Sequence, residues 1–235
     1  YLTQKIEGQN LAEFAKGTAD AKKYTVSFWV RSSKTGTYIV SLYDADNTRN
    51  CSQSYSIGSA DTWTQVELEF PADTTGAITY DNSQGMSLNF YLAAGTDYSS
   101  GSLATTWEAN VNANRAVGQV NVADSTSGDW YITGVQLEVG ATATSFEYKT
   151  YAEELLACQR YFEKSYDIGI TTGHAPGTAT TSSAWLMRHP TAGAGAFFIP
   201  FKVGKRANPT TVTYGRASGT SGKVTNMSGG ASDIT

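Results

Sequence analysis

A two-residue alternation of apolar and other side chains recurs in short segments along the chain, and it constrains the fold more than any other feature. In Tyr24–Arg31 the apolar residues Val26, Phe28 and Val30 occupy every second position, which places them on one face of a β-strand. Segments with the same alternation are Thr37–Tyr43, Trp63–Phe70, Met86–Leu92 and Trp130–Val139. Because each strand has one apolar face, two sheets must pack together to bury these faces. The sequence therefore predicts an all-β jelly-roll or β-sandwich domain.

A closing strand and a short helix mark the end of this domain. One face of the closing strand is predicted to hold Tyr131, Thr133, Val135, Leu137 and Val139, and the other Trp130, Ile132, Gly134, Gln136 and Glu138. Thr150 followed by Glu153 fits a capping box, in which each residue satisfies a free backbone N–H at the start of a helix. The residues after Thr150 predict a short helix that ends near Gln159.

Three regions follow from these signals. Residues 1–150 form the predicted jelly roll, 151–166 a helix and connecting strand, and 167–235 a second, smaller β region. Strands predicted in the last region are Ala184–Met187, Ala196–Val203 and Thr210–Tyr214. The chain begins inside a predicted strand, Leu2–Gly8, and ends without a stop signal. We therefore expect that it is a fragment of a longer protein, truncated at both termini.

Composition disfavours several classes of protein. Lys and Arg total 17 against 21 Asp and Glu, the formal net charge is -4, and no basic stripe is visible. A general nucleic-acid binder normally has such a stripe, so nucleic acid is not an expected partner. No apolar run reaches the roughly 18 residues of a membrane-spanning helix, so no membrane insertion is expected. The two cysteines, Cys51 and Cys158, are far apart in dissimilar surroundings, and we predict two free thiols.

An ordered series of segments carries a resemblance to a known family. The segments are SFWVRSSKTGTYIVSLYDADNTR, DTWTQVELEFPADTTGA, LNFYLAAGTDYSSG, NANRAVGQVN, DWYITGVQLEVGATATSF and YAEELLACQR. Together they resemble a module in tail-fibre and other structural proteins of tailed bacteriophages, especially marine ones. That module is described as a jelly-roll domain similar to carbohydrate-binding modules, and the resemblance spans Tyr1 to Tyr166.

The resemblance implies a virion component of the tail or a surface fibre, extracellular after release, which contacts other virion proteins and forms a homotrimer. Aromatic residues of the C-terminal region would suit either a trimer core or a receptor-binding tip. They are Trp185, Phe197, Phe198, Phe201 and Tyr214.

Aromatic and polar residues outside the predicted core are candidates for binding a sugar. Sugar C–H bonds pack on aromatic faces, and sugar hydroxyls pair with planar polar groups. Residues with non-core positions on predicted strands are Trp29, Arg31, Tyr43, Asn89 and Tyr91, and Tyr98 and Trp107 lie in a loop-like stretch. The alternative is that a loop, the helix or another subunit covers these residues. Trp63 and Trp130 each open a strand, and we predict that they seal the end of the sandwich.

Metal and catalytic signals are weak. Asp44, Asp46 and Asn47 could hold a structural Ca²⁺, but the same residues are ordinary turn formers, which is the preferred interpretation. His174 and His189 lack partners at metal-ligand spacing. No nucleophile or phosphate-binding motif occurs, so no catalytic residue, metal ligand or cofactor is assigned. Carboxylates that leave glycoside hydrolysis formally open are Glu67, Glu69, Asp97, Glu108 and Asp129.

Two functions therefore stand at this stage. The first is a non-catalytic fibre or receptor-binding module that attaches the virion to host cell-surface glycans. The second is a purely structural virion module, such as an adaptor, fibre scaffold or decoration, that binds no sugar.

Overall fold

The computed structural model describes residues 1–163, 201–207, 224–226 and 232–234. The chain divides into two compact units, Tyr1–Tyr148 and Lys149–Thr235. This division lies close to the predicted end of the first domain at residue 150.

The first unit is an all-β sandwich of two antiparallel sheets, as the alternation predicts. The strands are β1 (Leu2–Glu7), β2 (Tyr24–Ser32), β3 (Gly36–Asp44), β4 (Arg49–Ile57), β5 (Thr64–Phe70), β6 (Gln84–Phe90), β7 (Glu108–Ala109) and β8 (Trp130–Val139). One sheet has five strands in the order β1-β6-β3-β4-β7, and the other has three in the order β5-β2-β8. Short helical turns occur at Gly8–Phe14, Thr96–Ser99 (α1), Asn112–Asn114 and Val122–Asp124.

The predicted apolar positions form the core between the two sheets. Buried side chains from the predicted strands include Val26, Phe28, Val30, Tyr38, Val40, Leu42, Val66, Leu68, Phe70, Met86, Leu88 and Phe90. Burying a large apolar side chain contributes about 1.5–3 kcal/mol, so these strands supply most of the driving force for folding. Phe28 at the centre contacts Tyr55 and Phe90 edge-on, with ring centroids 5.2 and 5.1 Å apart.

Strand β4 was not predicted from the sequence. Its residues, RNCSQSYSI, include three serines and two side-chain amides among nine positions, and such residues are weak strand formers. Pairing with β3 along its whole length nevertheless holds it in the sheet, from Gly36 opposite Ile57 to Asp44 opposite Arg49. The alternation survives in a weaker form, because Cys51, Tyr55 and Ile57 face the core.

A β-bulge in β8 overturns the predicted division of its side chains. Thr133 pairs with Trp29 and Gln136 with Ser27, so two residues of β8 lie opposite Phe28 alone. Gly134 takes a φ of +59°, the left-handed conformation that glycine adopts without strain. The extra residue shifts the alternation. As a result Trp130, Ile132, Leu137 and Val139 all pack against the core, and Tyr131 faces outward.

The second unit contains the predicted helix. Helix α2 spans Tyr151–Gln159, and Thr150 and Glu153 form the predicted capping box. Strands β9 (Val224–Asn226) and β10 (Ser232–Ile234) pair in an antiparallel ribbon. The predicted strands at 184–187 and 210–214 lie outside the described residues. Residues 201–203, the described part of the strand predicted at 196–203, form no strand, nor do residues 160–163.

Candidate functional site

The seven residues predicted to bind sugar lie in three different places. Trp29 and Arg31 are on β2, on the outer face of the three-stranded sheet. Tyr43, Asn89, Tyr91 and Tyr98 are at the outer face of the five-stranded sheet, and Trp107 packs against the core. Because β2 belongs to one sheet and β3 and β6 to the other, Trp29 and Arg31 do not share a face with Tyr43, Asn89 and Tyr91. Period-two parity identifies a face of a strand but does not say which sheet the strand joins.

The outer face of the three-stranded sheet carries exposed aromatic rings at its centre. Trp29 is 42% exposed and Tyr131, on the neighbouring strand, is 47% exposed. The guanidinium carbon of Arg31 lies 5.5 Å from the centre of the Tyr131 ring, and Arg31 Nη2 donates to Asp61 Oδ1 at 3.2 Å. These contacts orient the arginine beside the two rings.

The segment after β8 extends this aromatic surface. A side-chain carbon placed on Gly134 would lie 3.6 Å from Trp29 and 3.9 Å from Phe146, so both rings border the bulge glycine. Phe146 meets Tyr148 edge-on with centroids 4.9 Å apart, and Tyr148 is 88% exposed. The backbone N–H of Glu147 donates to Gln136 Oε1 at 2.9 Å, which ties this segment to β8. We call Trp29, Tyr131, Phe146 and Tyr148 the aromatic strip.

Polar side chains flank the aromatic strip. Trp29 lies between Gln65 on β5 and Thr133 on β8 in the sheet register, and Arg31 lies one position along on the same face. Aromatic faces beside amide, hydroxyl and guanidinium groups suit a ligand with both C–H and O–H surfaces. Tyr131, Phe146 and Tyr148 are not among the residues that the sequence predicts for the site. Gly134 inside a strand pattern was the available signal, because such a glycine often marks a bulge.

The outer face of the five-stranded sheet is covered. Part of the segment between β6 and β8 packs on it, where Ile39, Tyr91 and Ala116 form a second small core with Tyr98 packed against it. Asn89 is buried, accepts a hydrogen bond from Thr3 Oγ1 at 2.7 Å, and donates through Nδ2 to the Ser41 carbonyl at 3.3 Å. The polar residues of this face were predicted to be outward, and they are, but a loop lies over them.

Trp107 has a structural position. Its indole N–H donates to the Pro71 carbonyl at 2.8 Å, and the Lys16 ammonium lies 4.8 Å from the ring centre. Trp130, predicted to seal the sandwich, packs against the core with its ring 6.0 Å from Phe90. Trp63, predicted to do the same, is exposed and lies outside the described core clusters, so that prediction is wrong.

An ammonium group lies among the oxygens beside the predicted calcium turn. Lys16 Nζ is 2.5 Å from Asp44 Oδ2, 3.0 Å from Asp73 Oδ2 and 2.9 Å from the Gly76 carbonyl oxygen. The Lys16 and Asp44 side chains are fully buried. The positive charge therefore compensates two carboxylates in the interior.

The carboxylates of Asp44 and Asp46 accept backbone hydrogen bonds, one from within the turn and one from another loop. Asp44 Oδ1 accepts from the backbone N–H of Asn47 at 3.0 Å, and Asp46 Oδ2 accepts from the backbone N–H of Thr79 at 2.8 Å. These bonds agree with the turn interpretation. Within the described ranges, no group of three or more His, Cys, Asp or Glu side chains could hold a metal ion.

Asp73 joins this network to a second cation. Arg49 donates from Nε to Asp73 Oδ2 at 2.9 Å and from Nη2 to Oδ1 at 3.2 Å, a two-pronged contact. Burial by itself would raise the pKa of Asp73, but hydrogen bonds from Arg49, Lys16 and Thr75 outweigh it and hold that pKa below its usual value.

Comparisons with protein-family models, with curated proteins and with solved structures found no match to this chain. In the part of the chain that the structure describes, no helix has the length and apolar character needed to cross a membrane. Both cysteines are free, Cys51 in the core and Cys158 at the surface.

Proposed function

We propose that this chain is a non-catalytic glycan-binding module of a bacteriophage tail fibre or receptor-binding protein. The observation that supports the proposal best is the exposed aromatic strip on the outer face of the three-stranded sheet, with Arg31 held beside it. Monomeric proteins rarely leave large apolar rings grouped at the surface unless the surface binds something. The resemblance to phage tail modules supplies the biological setting, a virion attaching to host surface glycans.

The proposed mechanism combines stacking with hydrogen bonding. A sugar ring packs its C–H face on Trp29, and Arg31, Gln65 and Thr133 bond its hydroxyls. A sugar ring that packs on one exposed aromatic face buries little apolar area, so one site binds weakly. Several copies in a homotrimeric fibre would raise the overall affinity by 10²–10⁴-fold through avidity, by the general behaviour of linked sites.

The second candidate is a purely structural virion module. Phe146, Tyr148 and Val135 are exposed, and their apolar surfaces would suit burial against another virion protein. The two candidates differ in what replaces water on the aromatic strip: a sugar in one, and a protein surface in the other.

The test is binding of the full chain to host cells and to a glycan array, with Trp29→Ala as the variant. Tyr80→Ala is the matched control, because Tyr80 is an exposed aromatic residue in the loop between β5 and β6. Saturable binding that Trp29→Ala abolishes and Tyr80→Ala preserves would support the glycan-binding proposal, given an unchanged far-ultraviolet circular dichroism spectrum and melting temperature.

Light scattering on the same samples tests the structural alternative and the expected homotrimer. An assembly that Trp29→Ala or Tyr148→Ser dissociates, in a chain that binds no glycan, would replace the glycan-binding proposal with the structural one.

A further inference from the structure

Four neighbouring side chains form a square on the open outer face of the three-stranded sheet. In the register of β2 and β5, Trp29 pairs with Gln65 and Ser27 pairs with Glu67, and all four lie on the face opposite the core. Side chains paired in this way have Cβ atoms about 4.5–5.5 Å apart, and the diagonal from Trp29 to Glu67 is about 7–8 Å. A ligand that packs on the Trp29 ring can therefore also reach the Glu67 carboxylate.

Ser27 forms the floor of this square. It is 6% exposed, yet its hydroxyl has no hydrogen-bond partner among the described residues. Thr25, the next residue of β2 on the same face, donates to the Gly140 carbonyl at 2.8 Å. The Ser27 oxygen is not one of the fully enclosed unpartnered atoms of the structure, so a ligand can reach it from the surface. Because hydroxyls in such positions are normally hydrogen-bonded, a partner from outside the chain fits here.

Glu67 has no hydrogen-bond or ion-pair partner among the described residues. The other charged side chains of β2, β5 and β8 all have one. The pairs are Arg31 with Asp61 at 3.2 Å, Glu69 with Lys23 at 2.7 Å, and Glu138 with Thr144 at 2.7 Å. An ionised carboxylate only accepts hydrogen bonds, so Glu67 and Ser27 together are complementary to a donor with a positive charge.

We propose that the glycan contains an amino sugar, and that Glu67 selects it; this inference rests on the proposed function. The sugar ring packs on Trp29, and its protonated amine donates to the Glu67 carboxylate and to Ser27 Oγ. An ammonium group has three N–H donors, so one remains for water. Hydrogen bonds between charged groups are about twice as strong as neutral ones, so a sugar with a hydroxyl or an acetylated amine at this place binds less tightly.

Titration calorimetry on the full chain tests the inference with a tetramer of β-1,4-linked glucosamine as the probe. The pH is about 6, where an amine of ordinary basicity is protonated. The comparison compounds are tetramers of N-acetylglucosamine, which lacks the charge, and of glucose, which has a hydroxyl in place of the amine. We expect the glucosamine tetramer to bind at least about fivefold more tightly than either. A lysine tetramer controls for attraction of any cation and should bind more weakly than the glucosamine tetramer.

Substitutions locate the selecting residue. Glu67→Gln keeps the shape of the side chain and removes its charge, so it should abolish the preference for glucosamine and leave the affinity for the glucose tetramer unchanged. Glu13→Gln is the matched control, because it removes the same charge at an exposed position in the helical turn between β1 and β2. Ser27→Ala should weaken binding of the glucosamine tetramer at an unchanged melting temperature, because its hydroxyl has no partner within the described structure.

The outcomes separate this inference from the proposed function. Equal binding of the three sugar tetramers, an unaltered preference in folded Glu67→Gln, or equally tight binding of the lysine tetramer would overturn the selection of an amino sugar by Glu67. If Trp29→Ala abolished binding in those cases, the glycan-binding proposal would still stand. Binding to host cells or to the glycan array that Trp29→Ala leaves unchanged would overturn both.

Discussion

Replacing Lys16 with methionine should destabilise the sandwich more than other lysine substitutions. The ammonium compensates two buried carboxylates, Asp44 at the end of β3 and Asp73 in the loop after β5. Methionine fills a similar volume but carries no charge, so Asp44 would keep only its hydrogen bonds from Asn47. Breaking a buried ion pair by removing one partner costs about 3–5 kcal/mol. The variant should therefore lose a large part of the 5–15 kcal/mol that stabilises a typical domain.

Urea unfolding followed by fluorescence measures this loss as a lower midpoint at unchanged slope. Lys23→Met is the matched control, because Lys23 pairs with Glu69 at 2.7 Å while both side chains remain about half exposed. Exposed pairs contribute about 0–1 kcal/mol, so the control midpoint should barely move.

A double variant separates charge from packing. Adding Asp44→Asn to Lys16→Met removes the uncompensated carboxylate, and we expect part of the lost stability to return. If Lys16→Met unfolds at the wild-type midpoint, the buried ion pair does not stabilise the sandwich and the argument fails.

Three further predictions concern single residues. Because the pKa of Asp73 is depressed in the folded protein, its stabilisation is complete above the unfolded value of about 3.9 and is lost as pH falls through the lower folded pKa. The melting temperature should fall in that acid window, and less steeply in Asp73→Asn; parallel curves would contradict this. Gly134→Val places a β-branched residue at φ +59° and should lower the free energy of unfolding by about 1–3 kcal/mol. Gly58→Ala has open space around it and should lower the free energy of unfolding by less than about 1 kcal/mol. Thermal unfolding measures both changes. Cys158 should react quickly with a thiol reagent in the native state, and Cys51 should not, because burial raises its pKa to about 12; two fast thiols would refute this.

The predicted part of the fold comes from strands whose own residues identify them. Strands β2, β3, β5 and β6 have an apolar residue at every second position, and this pattern is strong enough to identify both the strand and its buried face. Helix α2 was predicted for a similar reason, because both halves of its capping box lie within four residues of sequence. These signals come from residues that are close together in the sequence, and the structure contains the predicted elements.

Strand β4 and the β8 bulge depended on tertiary contacts. The polar sequence of β4 forms a strand because the preceding strand β3 supplies its backbone partners, a contribution that the residues of β4 do not encode by themselves. In β8, a single extra residue opposite Phe28 reverses the alternation and turns Tyr131 outward. The period-two pattern of the sequence does not show that reversal, and Gly134 is the one residue of the strand that indicates it.

The candidate sites show the same division. From the sequence alone it followed that Trp29, Arg31, Tyr43, Asn89 and Tyr91 have non-core positions, because alternation is a property of each strand by itself. Only the tertiary structure assigned β2 to one sheet and β3 and β6 to the other, and so placed these residues on opposite outer faces. Only the tertiary structure, too, packed Tyr91, Tyr98 and Ala116 over one face and left Trp29 and Tyr131 exposed on the other, because which surface a loop covers depends on tertiary contacts.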